Sequence, residues 1–146
     1  MNSRPTMTRR GWALLAPALA AASGVAAATD RKLLAAATYK FEELPVKASG
    51  ENRSRDVFDG VTHAGLQVDI HETELAPGGA PHAAHRHVHE EIVLLREGTL
   101  EITIEGKVSQ IAPGGVVYVA SNELHGWKNA GAARAHYFVF ALGRVE

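Results

Sequence analysis

The chain has 146 residues, 46% of them hydrophobic, and 15 Lys and Arg against 16 Asp and Glu give it a formal charge of −1. That length suits one domain with a sizeable core, and the charge balance argues against a nucleic-acid or anionic-membrane partner. There is no cysteine, so a disulfide framework and thiolate metal ligation are both excluded.

In chain order, Thr8-Arg9-Arg10-Gly11-Trp12 leads through Leu14, Leu15 and Leu19 into an alanine-rich stretch that ends at Ala26-Ala27-Ala28. A positive n-region, a short apolar h-region and an A-x-A end form the pattern of a cleavable export signal, here over residues 1–28. The paired arginines resemble those of a twin-arginine signal. The h-region is too short to span a bilayer, and no later stretch holds 18 consecutive apolar residues. Cleavage removes three arginines and no acid, leaving 12 basic against 16 acidic residues, or −4. The expected location is periplasmic or secreted, with no membrane contact after cleavage.

Residues 29–60 read as an N-terminal arm with edge strands. Within them, 30–37 is helix-permissive, 39–44 is a candidate first strand, and 47–59 is a polar loop with one edge strand around Val57. Regular signals begin in residues 61–146. Residues 66–70 alternate apolar and polar, and 99–105 alternate without a break, as half-buried strands do. Residues 116–119 and 137–142 are continuous apolar runs, expected to be buried on both faces. Gly98, Gly106 and Gly114 fall eight residues apart, each beside a turn-forming neighbour. Short strands at that spacing predict an all-β domain, a small barrel or jelly roll.

The densest chemistry lies in Gly79-Ala-Pro-His82-Ala-Ala-His85-Arg-His87-Val-His89-Glu-Glu91, with His125 downstream. His85 and His87 differ by two, so an extended segment points both to one face. Glu91 shares their parity, but six extended residues cover about 20 Å, too far for one coordination sphere. If the three share an ion, the chain turns between His87 and Glu91. His89 then falls in the turn, a poor place for a ligand. Imidazole and carboxylate donors suit divalent first-row metals. A surface tract that scavenges metal is the other reading of the same residues.

Gly79-(five)-His85-x-His87-(three)-Glu91-(six)-Gly98 resembles the first cupin motif at every fixed position. Gly114-(five)-Ala120-x-Asn122-(two)-His125-(three)-Asn129 is similar to the second, with Ala120 in place of the usual proline and Asn122 in place of the usual glycine. Asn tolerates the left-handed backbone that glycine supplies there. The resemblance implies a single cupin jelly-roll β-barrel in which His85, His87, Glu91 and His125 hold one divalent metal ion at the barrel mouth. Three imidazoles and a carboxylate leave positions open for water or substrate. Manganese or iron is favoured, with zinc or nickel as alternatives, because folding around a weakly held metal before twin-arginine export protects it from stronger competitors. By the same resemblance the chain is a metal-dependent enzyme, dioxygenase- or decarboxylase-like, acting on a small organic molecule. The alternative is a non-catalytic module that binds or senses a small ligand in the same pocket. A homodimer through exposed edge strands is expected.

The remaining candidates are weighed singly. His63 and His89 read as exposed loop or turn residues, His82 as a loop residue in solvent or one that reaches the pocket, and His71 as facing either solvent or the pocket. His136 reads as a satisfied core histidine, and Glu90 as facing away from Glu91. Trp127 fills the core or lines the pocket, whose apolar walls are of the Leu100, Ile102 and Val117 kind. Tyr118 and His71 are the candidate proton donors. Arg96 and Lys128 read as solvating charges.

Overall fold

The structure, a computed structural model, describes residues 32–143. The export signal expected over 1–28, its cleavage site and the start of the helix-permissive piece lie outside the described residues. Among the described residues, no helix is long and apolar enough to cross a membrane.

Among the described residues, nine strands follow a short 3-10 turn (Phe41–Glu43): β1 (Lys47–Ser49), β2 (Asn52–Val61), β3 (Gln67–Leu75), β4 (Glu90–Glu97), β5 (Leu100–Ile104), β6 (Lys107–Ile111), β7 (Val116–Val119), β8 (His125–Asn129) and β9 (Ala135–Leu142). They form a six-stranded sheet in the order β1-β2-β3-β9-β4-β7 and a three-stranded sheet in the order β6-β5-β8. Neighbouring strands are antiparallel throughout. The domain is an all-β jelly roll of two antiparallel sheets, as the strand spacing predicted.

Alternation decides which side chains face inward. Leu75, Val93, Leu95, Val117, Val119, Tyr137 and Val139 of the larger sheet meet Leu100, Ile102 and Trp127 of the smaller one in a single buried cluster. Gly98, Gly106 and Gly114 all have positive φ, between 76° and 85°, at the tight connections their spacing suggested. Gly98 is also sterically required. A Cβ there would stand 2.6 Å from both the Ala135 Cα and the Arg134 carbonyl oxygen, so β4 turns into β5 against the backbone that enters β9.

The N-terminal expectations need correction. The candidate strand at 39–44 is a 3-10 turn, because its aromatic residues pack onto the larger sheet instead of pairing with it. Tyr39 meets Phe58 at 5.3 Å between centroids, and Phe41 lies 4.1 Å from the Arg55 guanidinium. The helix-permissive piece is extended where it is described. Leu33 bridges Val61, and Leu34 N–H donates to the Val61 carbonyl at 2.9 Å. A few alanine-rich residues cannot offset the cost of nucleating an isolated helix. The polar loop at 47–59 is in fact β1 and the ten-residue β2, whose charges are met across strands. Lys47 pairs with Asp56, and Arg55 reaches Glu74 at 2.5 Å.

The two apolar runs differ as well. β9 is central, with one face buried and the other mostly half-buried at Phe138, Phe140 and Leu142, but β7 is an edge strand that buries Val117 and Val119 while exposing Val116 and Tyr118. The outward face of β3 and β9 carries a polar core: Glu72 is fully buried against His136 and lies 3.6 Å from Arg55. His136 is buried, as its place in an apolar strand suggested, but it lies outside the core cluster and its Nε2 touches Glu72 without a regular hydrogen bond.

Candidate metal centre

The site forms where the 79–89 loop meets β4 and β8. His85 and His125 exchange backbone hydrogen bonds, each N–H to the other's carbonyl at 3.0 Å. This two-way bridge fixes both residues side by side. Their approach depends on Gly126, where a Cβ would stand 3.1 Å from the Ala84 Cα. The loop's far end is tied by Asn122 N–H to the His87 carbonyl at 2.7 Å. Asn122 has φ of 63°, the left-handed backbone expected of its position. Between the two histidines, Arg86 turns outward to grip Glu105 with both terminal nitrogens, at 2.5 and 3.2 Å. That pairing holds the Glu105 carboxyl below its usual range, while Glu105 Oε1 also accepts from Leu124 N–H at 2.7 Å.

Glu91 starts the inward row of β4, one residue into the strand, so the chain does turn between His87 and Glu91. Three rings converge, with centroids 5.0 Å (His85–His87), 4.9 Å (His85–His125) and 4.6 Å (His87–His125) apart. One nitrogen from each of the three lies within 4.8 Å of the others. Glu91 joins them, with Oε1 3.5 Å from His87 Nε2 and Oε2 3.4 Å from His125 Nε2. The four residues singled out by spacing are therefore neighbours, although chain order separates His125 from the rest by more than thirty positions.

Tautomers follow from the second nitrogens. His87 Nδ1 donates to the His89 carbonyl and His125 Nδ1 to the Glu123 carbonyl, both at 2.8 Å. Both Nε2 atoms are thereby left unprotonated in the neutral ring and turned toward Glu91. His87 Nε2, His125 Nε2, Glu91 Oε2 and His85 Nδ1 are all buried without a hydrogen-bond partner. Buried polar atoms are rarely left so. Orphaned donors of His87, His125 and Glu91 face one another, and a His85 nitrogen lies within 4.8 Å of those of His87 and His125. Backbone carbonyls orient the His87 and His125 rings, and the set fits a divalent ion. Burial, followed by the neighbouring histidines, pushes His85 below the usual imidazole range and favours the neutral form that ligates.

Beside the site opens a cavity of about 320 Å³ lined by Lys47, His71, Thr73, His82, Glu91, Trp127 and Tyr137 among others. Trp127 both fills the core and lines this cavity. Its Nε1–H donates to the Tyr137 hydroxyl at 2.8 Å, and it stacks beside His125. Burial pushes the Tyr137 phenol up to about 12, so it stays protonated. Leu100, Ile102 and Val117, expected to wall the pocket, lie in the core cluster beneath it instead.

Other residues move from their expected places. His82 is exposed yet lines the cavity, its ring 4.2 Å from that of His85. His71 faces the cavity, with Nδ1 3.1 Å from Asp69 Oδ1. Asp69 was overlooked, although its position two before His71 on one strand was the available signal. Tyr118 is 54% exposed on the outer edge, bonded to Glu90, and is no proton donor to the site. Glu90 faces away, as its parity implied. Lys128 pairs with Glu101 at 2.8 Å, and Arg96 lies near Glu97.

The largest miss is His89. It is half-buried and stacked on His87, with Nε2 3.5 Å from Glu91 Oε1. Nothing in its spacing shows this, because the turn after His87 folds its ring back against the loop it comes from. Burial holds it, too, below the usual imidazole range.

Residues 71–141 match the family model described as the cupin domain. A comparison with curated proteins finds no match. Among solved structures, the fold is similar to an RmlC-like cupin from Shewanella frigidimarina, at 15% identity and a TM-score of 0.62, over 76% of this chain and 95% of that one. It is similar to the polyketide cyclase RemF from Streptomyces resistomycificus, at 16% identity and 0.63, over 75% of this chain and 81% of that one. It is also similar to a predicted oxalate decarboxylase from Thermotoga maritima, at 17% identity and 0.64, over 74% of this chain and all of that one. At these identities the likeness is one of fold.

Proposed function

From the premise that residues 71–141 are a cupin domain, we propose that the protein is an exported metal-dependent enzyme acting on a small organic molecule. His85, His87, Glu91 and His125 hold one divalent ion, with manganese or iron preferred. The observation that carries this reading is the set of buried, unpartnered donor atoms on these four residues, opening onto a cavity large enough for a small ligand. The diverse chemistries named for proteins of this fold, a cyclase and a decarboxylase among them, are compatible with it.

When bound, the ion supplies Lewis acidity at the cavity floor. The chain's own residues do the rest. Trp127 and Tyr137 form an aromatic wall that excludes water and orients a flat or apolar substrate. His71 is the group placed to move a proton. Asp69 accepts from its Nδ1–H, which leaves Nε2 free as a base in the cavity.

The test is metal content of protein taken from its exported pool, by elemental mass spectrometry, followed by turnover of small acids, enols and phenols. About one equivalent of manganese or iron is expected, with His125→Ala losing most of it. Protein without metal, which also fails to take it up, removes the reading. A candidate molecule that binds the holo-protein and is released unchanged favours the binding-module alternative.

A further inference from the structure

We propose that His89 is a positioning residue that makes Glu91 a one-oxygen ligand, an inference that rests on the metal binding proposed above. The two carboxylate oxygens of Glu91 have different surroundings. Oε1 lies 3.5 Å from His89 Nε2 and equally 3.5 Å from His87 Nε2, while Oε2 lies 3.4 Å from His125 Nε2. Oε2 is among the buried atoms without a hydrogen-bond partner, together with His87 Nε2 and His125 Nε2, and Oε1 is not. The orphaned donors thus include one oxygen of the carboxylate and not the other.

His89 has the chemistry to occupy Oε1. Its Nδ1 is buried without a partner, so the single proton of the neutral ring belongs on Nε2, where a carboxylate oxygen accepts it. The ring plane is set by its stack on His87, with centroids 3.5 Å apart and planes within 6°. One donor atom from each of His87, His89 and Glu91 lies within 4.8 Å of the others, but the stack turns the His89 ring away from co-ligation. Imidazole nitrogens bind metals along the ring plane, and two parallel planes do not meet at one ion. His87 presents Nε2 to the donor cluster, whereas His89 presents an N–H to the carboxylate behind it.

The consequence is a count of open positions. Three imidazoles and one carboxylate oxygen leave about two positions of an octahedral ion for water or substrate. If Oε1 is released, Glu91 can chelate through both oxygens and close one of them. Residues behind metal ligands often change affinity by about 10–100-fold when lost, and His89 is placed to act in this way while also setting denticity.

The experiment uses the purified protein loaded with manganese(II) alone, with water-proton relaxation counting exchangeable waters and electron paramagnetic resonance measuring free manganese. Wild type should show about two waters. His89→Ala should show about one, with affinity reduced about tenfold, and His89→Gln, which restores an N–H donor, should return both values toward wild type. Circular dichroism and melting of each variant check that the barrel is intact. An unchanged water count in a folded His89→Ala variant overturns the proposal and leaves the metal centre standing. Loss of metal equal to that of His125→Ala, without rescue by Gln, makes His89 a ligand and overturns it as well. Wild type that binds no manganese removes both this proposal and the metal reading beneath it.

Discussion

Glu72 is fully buried on the outward face of the larger sheet, and the chain surrounds it with charge instead of apolar side chains. Burial pushes its carboxyl upward against the opposing pull of Arg55, and burial pushes the imidazole of His136 downward. Both shifts reflect the cost of holding charge at this buried contact, and Arg55 is the foremost charge that opposes that cost at Glu72. Arg55 completes the cluster, 3.6 Å from Glu72 and 2.5 Å from Glu74, with Phe41 across its outer face. An ion-pair network of this kind adds little over an apolar core, but losing one partner strands the others in low dielectric. Arg55→Ala should therefore cost about 3–5 kcal/mol, read as a lower urea midpoint at unchanged slope. It should also loosen the arm that Phe41 anchors. A loss below about 1 kcal/mol, as at exposed pairs, would show that water reaches Glu72.

At the scale of elements, the local signals in the sequence and the long-range contacts of the fold part company. The alternation of 99–105 and the glycine spacing named β5 and the turns around it, because a strand's inward row and a tight turn depend on neighbours only one to three residues away. The convergence of His85, His87, Glu91 and His125 was legible through the spacing of two motifs. What escaped was decided across strands. β2 looks polar because its charges find partners on β1 and β3, and His89 looks like a turn residue because its stack on His87 leaves no periodic trace. β7 shows the same limit, since an apolar run of four cannot announce that one face has no neighbour. That outer face presents Val116 and Tyr118 at the sheet's edge, paired in register with Leu94 and Ile92 of β4. Exposed apolar edge strands invite pairing, and we propose that two copies associate here. Light scattering should give twice the chain mass, and Val116→Lys combined with Tyr118→Lys should halve it. A monomeric wild type at micromolar concentration defeats this assignment.

For the whole molecule, the site does not exist before the fold does. His85 and His125 meet only through a backbone bridge between distant segments, and the unfolded chain offers scattered imidazoles with no selectivity of place. Whichever compartment folds the barrel therefore chooses the ion. An N/O site exposed to zinc or copper while it folds takes them ahead of manganese or iron, by the general stability order. The twin arginines at Arg9-Arg10 suggest how this chain avoids that outcome. We propose that it folds and loads in the cytoplasm and crosses the membrane already closed around its metal. Arg9→Lys with Arg10→Lys should then stop export and leave loaded precursor inside, measured by fractionation and elemental mass spectrometry of each fraction. Rerouting the mature domain through an unfolded-chain exporter should deliver the same barrel carrying zinc or copper. Normal secretion of the Lys-Lys variant with manganese or iron still in place would separate metal choice from the export route, and selectivity would then have to come from the donor set and its surrounding shell alone.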